Sequence, residues 1–168
     1  MSGFVLRALC AAAIAFAPAQ AFAEGSVGRV TKLPVPRFVS MRAETANARR
    51  GPSLSYRVDW TFRKRGLPLE VVDEYGNWRR VRDSEGVGGW VHHTLLSGGR
   101  TVLLQGDGPA PLRAGPSPGT AIRAFAEPGV IARLEACGPE WCEVSAGGYT
   151  GWTPRVDLWG LRPGETIE

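Results

Sequence analysis

The chain has 168 residues and a formal net charge of +4 at pH 7, with 43% hydrophobic and 21% charged residues. So small an excess of basic residues excludes no class of partner. It is consistent with ordinary solubility and with a basic patch for anionic polymers. The longest apolar stretch lies at the N-terminus and is shorter than the roughly 18 to 20 residues that a membrane span needs.

Residues 1–23 have the features of a secretory signal peptide. A single Arg precedes an Ala-rich apolar segment, and the Ala-Phe-Ala of residues 21–23 matches the small-x-small pattern of a signal peptidase site. The mature chain is predicted to start at Glu24 with a formal charge of +3. Cys10 follows Leu9, which is too large for the corresponding position of a lipoprotein signal. The sequence therefore predicts a periplasmic or secreted protein without a membrane span after cleavage.

A unit of about sixty residues occurs twice in the remaining chain. Gly-Pro-Ser, Trp-x-x-Val and Gly-Trp follow one another in residues 51–98 and again in residues 115–160, at offsets of 64, 63 and 62. Changes in loop length between matching strands produce such a drift. We therefore expect an N-terminal extension at 24–36, a first domain at 37–106 and a second domain at 107–168.

Short apolar segments, broken by Gly, Pro or Asp, predict small strands and tight turns in each unit. The strands predicted in the first unit are YRVDWTF (56–62), LPLEVVDEY (67–75), NWRRVRD (77–83) and GWVHHTLL (89–96), and residues 100–111 are predicted to be a closing strand followed by a linker. No segment after residue 23 keeps a helical period. Strands without a covering helix must close on themselves, so we expect an all-β chain of two small tandem barrels.

Two cysteines, Cys137 and Cys142, remain in the predicted mature chain. Alignment of the two units in sequence places Cys137 at the position of Glu74 and Cys142 at that of Arg79, on either side of a four-residue turn. The flanking residues then face each other across two antiparallel strands. In an exported protein this arrangement predicts a disulfide in the second unit and a salt bridge in the first.

The alternatives for the cysteines are a zinc site with His92 and His93, or a reactive or redox thiol. Adjacent histidines of one strand point to opposite faces, so both are not expected to reach one ion. No Cys-x-x-Cys occurs, and no histidine lies near the cysteines in the sequence. These patterns favour the disulfide.

The aromatic residues divide into predicted core and predicted surface positions. Four bulky residues are predicted to fill the barrels: Val81, Trp90, Val144 and Trp152. Trp78 and Trp141 stand beside polar neighbours, and strand alternation places them on the face opposite the core valines. Both are therefore predicted to be exposed, either for binding a ligand or for packing.

The segments LPVPRFVSMRAETANARRGPS, GLPLEVV and NWRRVRDSEGVGGWVHHTLLSG resemble the bacterial SH3-like (SH3b) domain family, in particular the exported tandem type of alphaproteobacteria. The resemblance covers nearly all of residues 33–106 and, more loosely, residues 107–160. It implies a five- or six-stranded barrel in each half and a non-catalytic binding module. It also implies a cell-envelope ligand, such as a peptidoglycan peptide or an envelope protein.

Eukaryotic relatives of this family bind proline-rich peptides in an aromatic groove. The resemblance places Trp78 and Trp141 at the groove tryptophan, and His92 and Pro154 at a position where relatives often carry a groove proline. The acidic, tyrosine-rich segment that completes such a groove is not recognisable, so a proline-rich ligand is not expected. The candidate ligand-binding residues are Trp78, His92, Tyr56, Trp141, Pro154 and Arg80.

No motif of a phosphate loop, a nucleophile elbow or a zinc protease occurs. We expect no catalytic residue, metal, cofactor or nucleic-acid partner. Two other functions remain open. A cell-wall hydrolase or hydrolase activator would have to use a reduced Cys142, His92 or His93, and a structural scaffold would dock its barrels against a partner protein.

Overall fold

The computed structural model describes residues 26–168, where the regular structure consists of β-strands and two short 3₁₀ helices, η1 (His93–Leu95) and η2 (Arg155–Asp157). The predicted all-β fold is thus confirmed. The predicted signal peptide at 1–23 lies outside the described residues. Within the described part of the chain, no helix has the length and apolar character needed to cross a membrane.

The strands form one small hairpin and two seven-stranded antiparallel sheets. The hairpin consists of β1 (Ser26–Val27) and β2 (Pro34–Val35). The first sheet contains β3 (Arg37–Met41), β4 (Ala46–Arg49), β5 (Val58–Phe62), β6 (Pro68–Tyr75), β7 (Trp78–Arg82), β8 (Gly88–His92) and β9 (Leu96–Ser97). The second contains β10 (Thr101–Leu104), β11 (Ala110–Arg113), β12 (Ile122–Ala126), β13 (Ile131–Cys137), β14 (Trp141–Ala146), β15 (Tyr149–Pro154) and β16 (Leu158–Trp159).

The two sheets have the same topology. Their strand orders are β5-β4-β8-β7-β6-β3-β9 and β12-β11-β15-β14-β13-β10-β16, so each strand of the second sheet occupies the place of the strand seven earlier. Register shifts also recur at matching points, after Ala48 and Leu112 and again after Val71 and Leu134. These matches confirm the tandem repeat.

Each sheet encloses its own hydrophobic core. The first core includes Met41, Ala46, Ala48, Leu69, Val71, Val81 and Val91, and the second includes Val102, Leu104, Leu112, Ala132, Cys142 and Val144, all at most 2% exposed. The two sets share no residue. Burial of one such aliphatic side chain contributes about 1.5 to 3 kcal/mol, so each barrel has its own source of stability.

The prediction that Trp90 and Trp152 fill the cores is wrong. Both are half-buried, and the residues that follow them, Val91 and Thr153, are fully buried. Neighbouring residues of a strand point to opposite faces, so an inward Val91 requires an outward Trp90. Both tryptophans therefore belong to the outer surface of the barrels.

The register of the two central hairpins agrees with the superposition of the units. Cys137 pairs with Cys142 and forms a disulfide, and Glu74 pairs with Arg79. The C-terminal tail covers the disulfide, because Ile167 and Cys137 exchange backbone N–H···O bonds of 2.8 and 2.9 Å. The predicted staple is confirmed.

The Glu74–Arg79 pair is buried, with 1% of Glu74 and 7% of Arg79 exposed. Glu74 Oε1 lies 3.6 Å from Arg79 Nε and 2.8 Å from Arg37 Nη1. Thr31 donates to the same carboxylate from its backbone N–H (2.8 Å) and its hydroxyl (2.6 Å), and Val30 N–H donates at 3.0 Å. Glu74 therefore fastens the N-terminal hairpin to the first barrel, which a simple cross-strand salt bridge would not do.

The two barrels are in contact. Phe38 of the first packs edge to face on Trp159 of the second, with ring centroids 5.0 Å apart, and Thr101 Oγ1 donates to the Gly66 carbonyl at 2.7 Å. The strand expected to close the first barrel, β10, instead pairs with β13 and β16 of the second sheet. The domain limits at 37–106 and 107–168 themselves stay a prediction.

Removal of the disulfide is expected to cost about 2 kcal/mol of unfolding free energy, because the bond closes only a short loop in the unfolded chain. The two cysteines are five residues apart in sequence and their side chains are buried. Urea unfolding of the Cys137→Ala/Cys142→Ala double variant measures this loss. Reduction should raise the intact mass by two hydrogen atoms, and thiol labelling of the native protein without reductant would contradict the bond.

Candidate ligand-binding surface

The outer face of β7 and β8 brings Trp78 and His92 together. Trp78 begins β7, His92 ends β8, and the two are register partners. Both are half-buried, and their rings meet edge to face with centroids 5.4 Å apart. His92 Nδ1 is 2.8 Å from the Thr94 hydroxyl, which fixes the orientation of the imidazole ring.

A hollow of about 190 Å³ lies beside this ring pair, and we call it the tryptophan hollow. Its wall consists of Thr45, Asn47, Arg49, Leu54, Trp78, His92 and Leu95. Arg49 Nη1 donates to the carbonyl oxygens of Leu54 (3.1 Å) and Tyr56 (2.6 Å). This guanidinium holds the β4–β5 loop against the barrel and so keeps Leu54 beside Trp78.

The second barrel repeats the arrangement. Trp141 begins β14, Pro154 ends β15, and the two are register partners as Trp78 and His92 are. Trp141 also lines a wider groove of about 760 Å³ together with Pro116, Trp152 and Ile167. The two barrels thus place a half-buried tryptophan at the same point of the fold, beside depressions of different size.

Tyr56 and Arg80 lie apart from these pairs. Tyr56 is 47% exposed, and its ring covers Gly51 so closely that a Cβ there would come within 2.6 Å of it. Arg80 is exposed on β7 opposite Trp90 and lines a different depression. Of the six candidate residues, the structure therefore brings together two pairs and leaves two separate.

Sequence reasoning missed Leu54, Asn47 and Arg49 as neighbours of Trp78. Leu54 is 74% exposed between two serines of a turn, and an apolar residue in so polar a loop is the signal that was available. Trp60, at 48% exposure on β5, was also not singled out.

The residues considered for catalysis have these surroundings. Cys142 is bound in the disulfide, so it is not a free thiol. The His92 and His93 rings are only 5.0 Å apart, contrary to the expectation of opposite faces, because β8 ends at His92 and the chain turns into η1. Between residues 26 and 168 no group of three or more His, Cys, Asp or Glu side chains could hold a metal ion.

The sequence profile described as "Bacterial SH3 domain" matches residues 42–98 and 106–160, more than half of the chain. The chain belongs to the bacterial SH3 domain family. Each match spans the last six strands of one sheet, β4 to β9 and β11 to β16, and leaves out its first strand. The tandem SH3 domains of the profile thus correspond to the two barrels of the structure.

Two solved structures similar to the chain are NlpC2 and NlpC1 from Trichomonas vaginalis. Each is 12% identical with a TM-score of 0.34, and the alignments cover 74% and 79% of this chain, respectively. The chain spans 48% of the length of each of these proteins. No curated protein sequence matches the chain.

Proposed function

We propose that the chain is an exported, non-catalytic protein whose tandem SH3 domains bind a peptide of the cell envelope, either a peptidoglycan peptide or a segment of an envelope protein. The observation that supports this most is the recurrence of Trp78 and Trp141. Both are half-buried, begin equivalent strands and face a ring residue of the next strand. Such an amphipathic ring offers apolar contact area while its N–H stays available for hydrogen bonding.

The size of the tryptophan hollow favours a peptide side chain as its occupant. Its volume of about 190 Å³ is below the roughly 300 to 1,000 Å³ of sites that enclose a whole small molecule. Leu54 and Trp78 supply apolar walls, and Asn47 and His92 supply polar groups beside them. A short peptide with one apolar side chain therefore fits better than an enclosed metabolite.

The disulfide and the surroundings of the histidines support the other two parts of the proposal. Disulfides persist in oxidising compartments, which favours a periplasmic or secreted location. Cys142 is bound to Cys137, so it is not a free nucleophile, and among the described residues the His92 ring contacts a hydroxyl group rather than a carboxylate.

Retention on purified sacculi tests the proposal. Trp78→Ala is expected to reduce retention about ten-fold, because aromatic anchors carry most of the energy of such contacts. Adding Trp141→Ala to this variant should reduce retention further. Trp60→Ala is the matched control, since Trp60 is 48% exposed in the same barrel but does not line the hollow. Wild-type retention no greater than that of albumin would exclude a cell-wall ligand.

A further inference from the structure

A second concave surface lies next to the tryptophan hollow on the first barrel, and we call it the arginine groove. Its volume is about 640 Å³, and its wall consists of Arg49, Arg50, Asp59, Val72, Arg80, Val81, Arg82, Gly86, Gly88, Gly89 and Trp90. Four guanidinium groups thus surround one depression that contains a single carboxylate. Arg49 lines both concave surfaces, so they are neighbours.

Two of the four arginines have no carboxylate partner among the described residues. Arg50 Nε lies 3.0 Å from Asp59 Oδ2, and Arg82 is paired with Glu70. Arg49 donates to carbonyl oxygens only.

Arg80 is the other arginine without a carboxylate partner. It is exposed and makes no ion pair in residues 26–168. Asp73 stands opposite it on β6, but Asp73 Oδ1 instead accepts the backbone N–H of Glu74 at 2.8 Å. The groove therefore keeps an excess of positive charge.

The second barrel shows that the fold does not require this charge. The residues of the second barrel at the positions equivalent to Arg50, Arg80 and Arg82 are Ala114, Glu143 and Ser145. Strands and loops together, residues 37–97 contain eleven basic and seven acidic side chains, whereas residues 101–159 contain four basic and six acidic ones. The positive charge at these three positions is thus specific to the first barrel.

Trp90 lines the groove between two of these arginines. It is the register partner of Arg80 on one side and of Arg49 on the other, so an Arg-Trp-Arg row crosses three neighbouring strands. The backbones of the outer strands are about 10 Å apart at normal strand spacing. Carboxylates on a chain of sugar rings can span that distance, and the planar guanidinium forks match carboxylates in pairs of hydrogen bonds.

We propose that the arginine groove binds an acidic polysaccharide, with Arg80 and its neighbours on the carboxylates and Trp90 against a sugar ring. A tryptophan face provides the flat apolar surface on which a sugar ring packs, and the open groove admits a polymer along its length. This inference does not depend on the ligand of the tryptophan hollow.

Fluorescence anisotropy with labelled polygalacturonate, which carries one carboxylate per ring, tests this proposal. The wild-type protein should bind it and should not bind neutral dextran. Arg80→Glu, which introduces the residue of the second barrel, should weaken binding at least ten-fold, and Arg82→Ser should weaken it in the same direction. Arg63→Glu is the matched control, because Arg63 is exposed in the same barrel, lies outside the groove and gives the same charge change. It should alter binding less than three-fold.

Trp90→Leu separates sugar recognition from charge attraction. It should weaken polygalacturonate binding at least five-fold and leave binding of inorganic polyphosphate unchanged, while Trp78→Ala in the other depression should leave both unchanged. Circular dichroism establishes that each variant is folded. The proposal would be overturned if the wild-type protein did not bind polygalacturonate, or if Arg80→Glu and Arg63→Glu weakened binding equally. It would also be overturned if polyphosphate bound as tightly as polygalacturonate and Trp90→Leu did not weaken polygalacturonate binding.

Discussion

Glu74→Gln is expected to lower the free energy of unfolding by about 3 to 5 kcal/mol, the usual cost of removing one partner from a buried ion pair. The carboxylate of Glu74 is buried between Arg37 and Arg79 and accepts three hydrogen bonds from Val30 and Thr31. Glutamine keeps the shape but leaves two guanidinium groups without a counter-ion. Urea unfolding followed by tryptophan fluorescence measures the loss.

Glu70→Gln provides the control for this substitution. Glu70 is also paired with an arginine, but that partner, Arg82, has 55% of its side chain exposed. Solvent screens such a pair, so its loss should cost less than about 1 kcal/mol. Equal losses for the two variants would contradict the anchoring role of Glu74.

The ionisation of Glu74 also makes the stability of the protein depend on pH. Burial opposes ionisation of Glu74, but hydrogen bonds from Thr31, Val30 and Arg37 outweigh it and lower its pKa from 4.5 to about 2. Because the pKa is lower in the folded state, the stabilisation is complete above pH 4.5 and is lost as the pH falls to 2. The shift corresponds to roughly 3 kcal/mol, which Glu74→Gln should remove from the acid transition.

Glu165 contributes in the same range of pH. Burial opposes its ionisation as well, and hydrogen bonds from the Arg100 side chain and the Arg162 backbone N–H lower its pKa to about 2. The Glu74→Gln variant should therefore still lose stability below pH 4.5, but less steeply than the wild type. A slope unchanged by the substitution would show that Glu74 has an ordinary pKa.

Gly151→Val is expected to destabilise the second barrel by about 3 kcal/mol, at the upper end of the usual cost of overpacking. Gly151 lies where β15 crosses β11 to close the barrel, and a Cβ there would come within 2.9 Å of the Arg113 carbonyl oxygen and of Leu112. Gly89 has the same position in the first barrel, with a Cβ 2.7 Å from the Arg49 carbonyl oxygen. Backbone has to move at this site, because no flexible side chain can yield.

Gly119→Val is the control for the Gly151→Val substitution. Gly119 is exposed in the loop between β11 and β12, and a Cβ there would meet no atom within 4 Å. Its unfolding free energy should stay within about 0.5 kcal/mol of the wild type, as surface substitutions usually do. A Gly151→Val protein as stable as this control would argue against closure of the barrel at β11 and β15.

The repeat and the pairing of Cys137 with Cys142 were predictable, because an internal superposition transfers register information from one unit to the other. The strands β5 to β7, in which aromatic or β-branched residues recur, were also predicted within two residues. By contrast, β4 is Ala-Asn-Ala-Arg, which has no strand signal of its own and is formed by pairing with β5 and β8.

The errors arose where tertiary contacts decide between local alternatives. Trp90 and Val91 are adjacent apolar residues, and alternation alone does not say which of them points inward. Glu74 and Thr31 are 43 residues apart, so the anchoring of the N-terminal hairpin left no local pattern.

The tryptophan surface was predictable only in part. Trp78 and His92 come from neighbouring strands with a short connection, and their register follows from the hairpin. Leu54 reaches Trp78 through the β4–β5 loop, whose path depends on the Arg49 side chain and is not encoded in a periodic pattern.

Indole NMR signals test most directly whether both barrels bind the ligand at the equivalent tryptophans, Trp78 and Trp141. The chain has six tryptophans, and each gives its own ¹⁵N–¹H indole signal. Titration with soluble muropeptides should shift the signals of Trp78 and Trp141 and leave those of Trp60 and Trp159 in place. Shifts of Trp60 or Trp159 as large as that of Trp78 would contradict the account, and no shift of any indole at millimolar muropeptide would exclude a peptidoglycan peptide as the ligand.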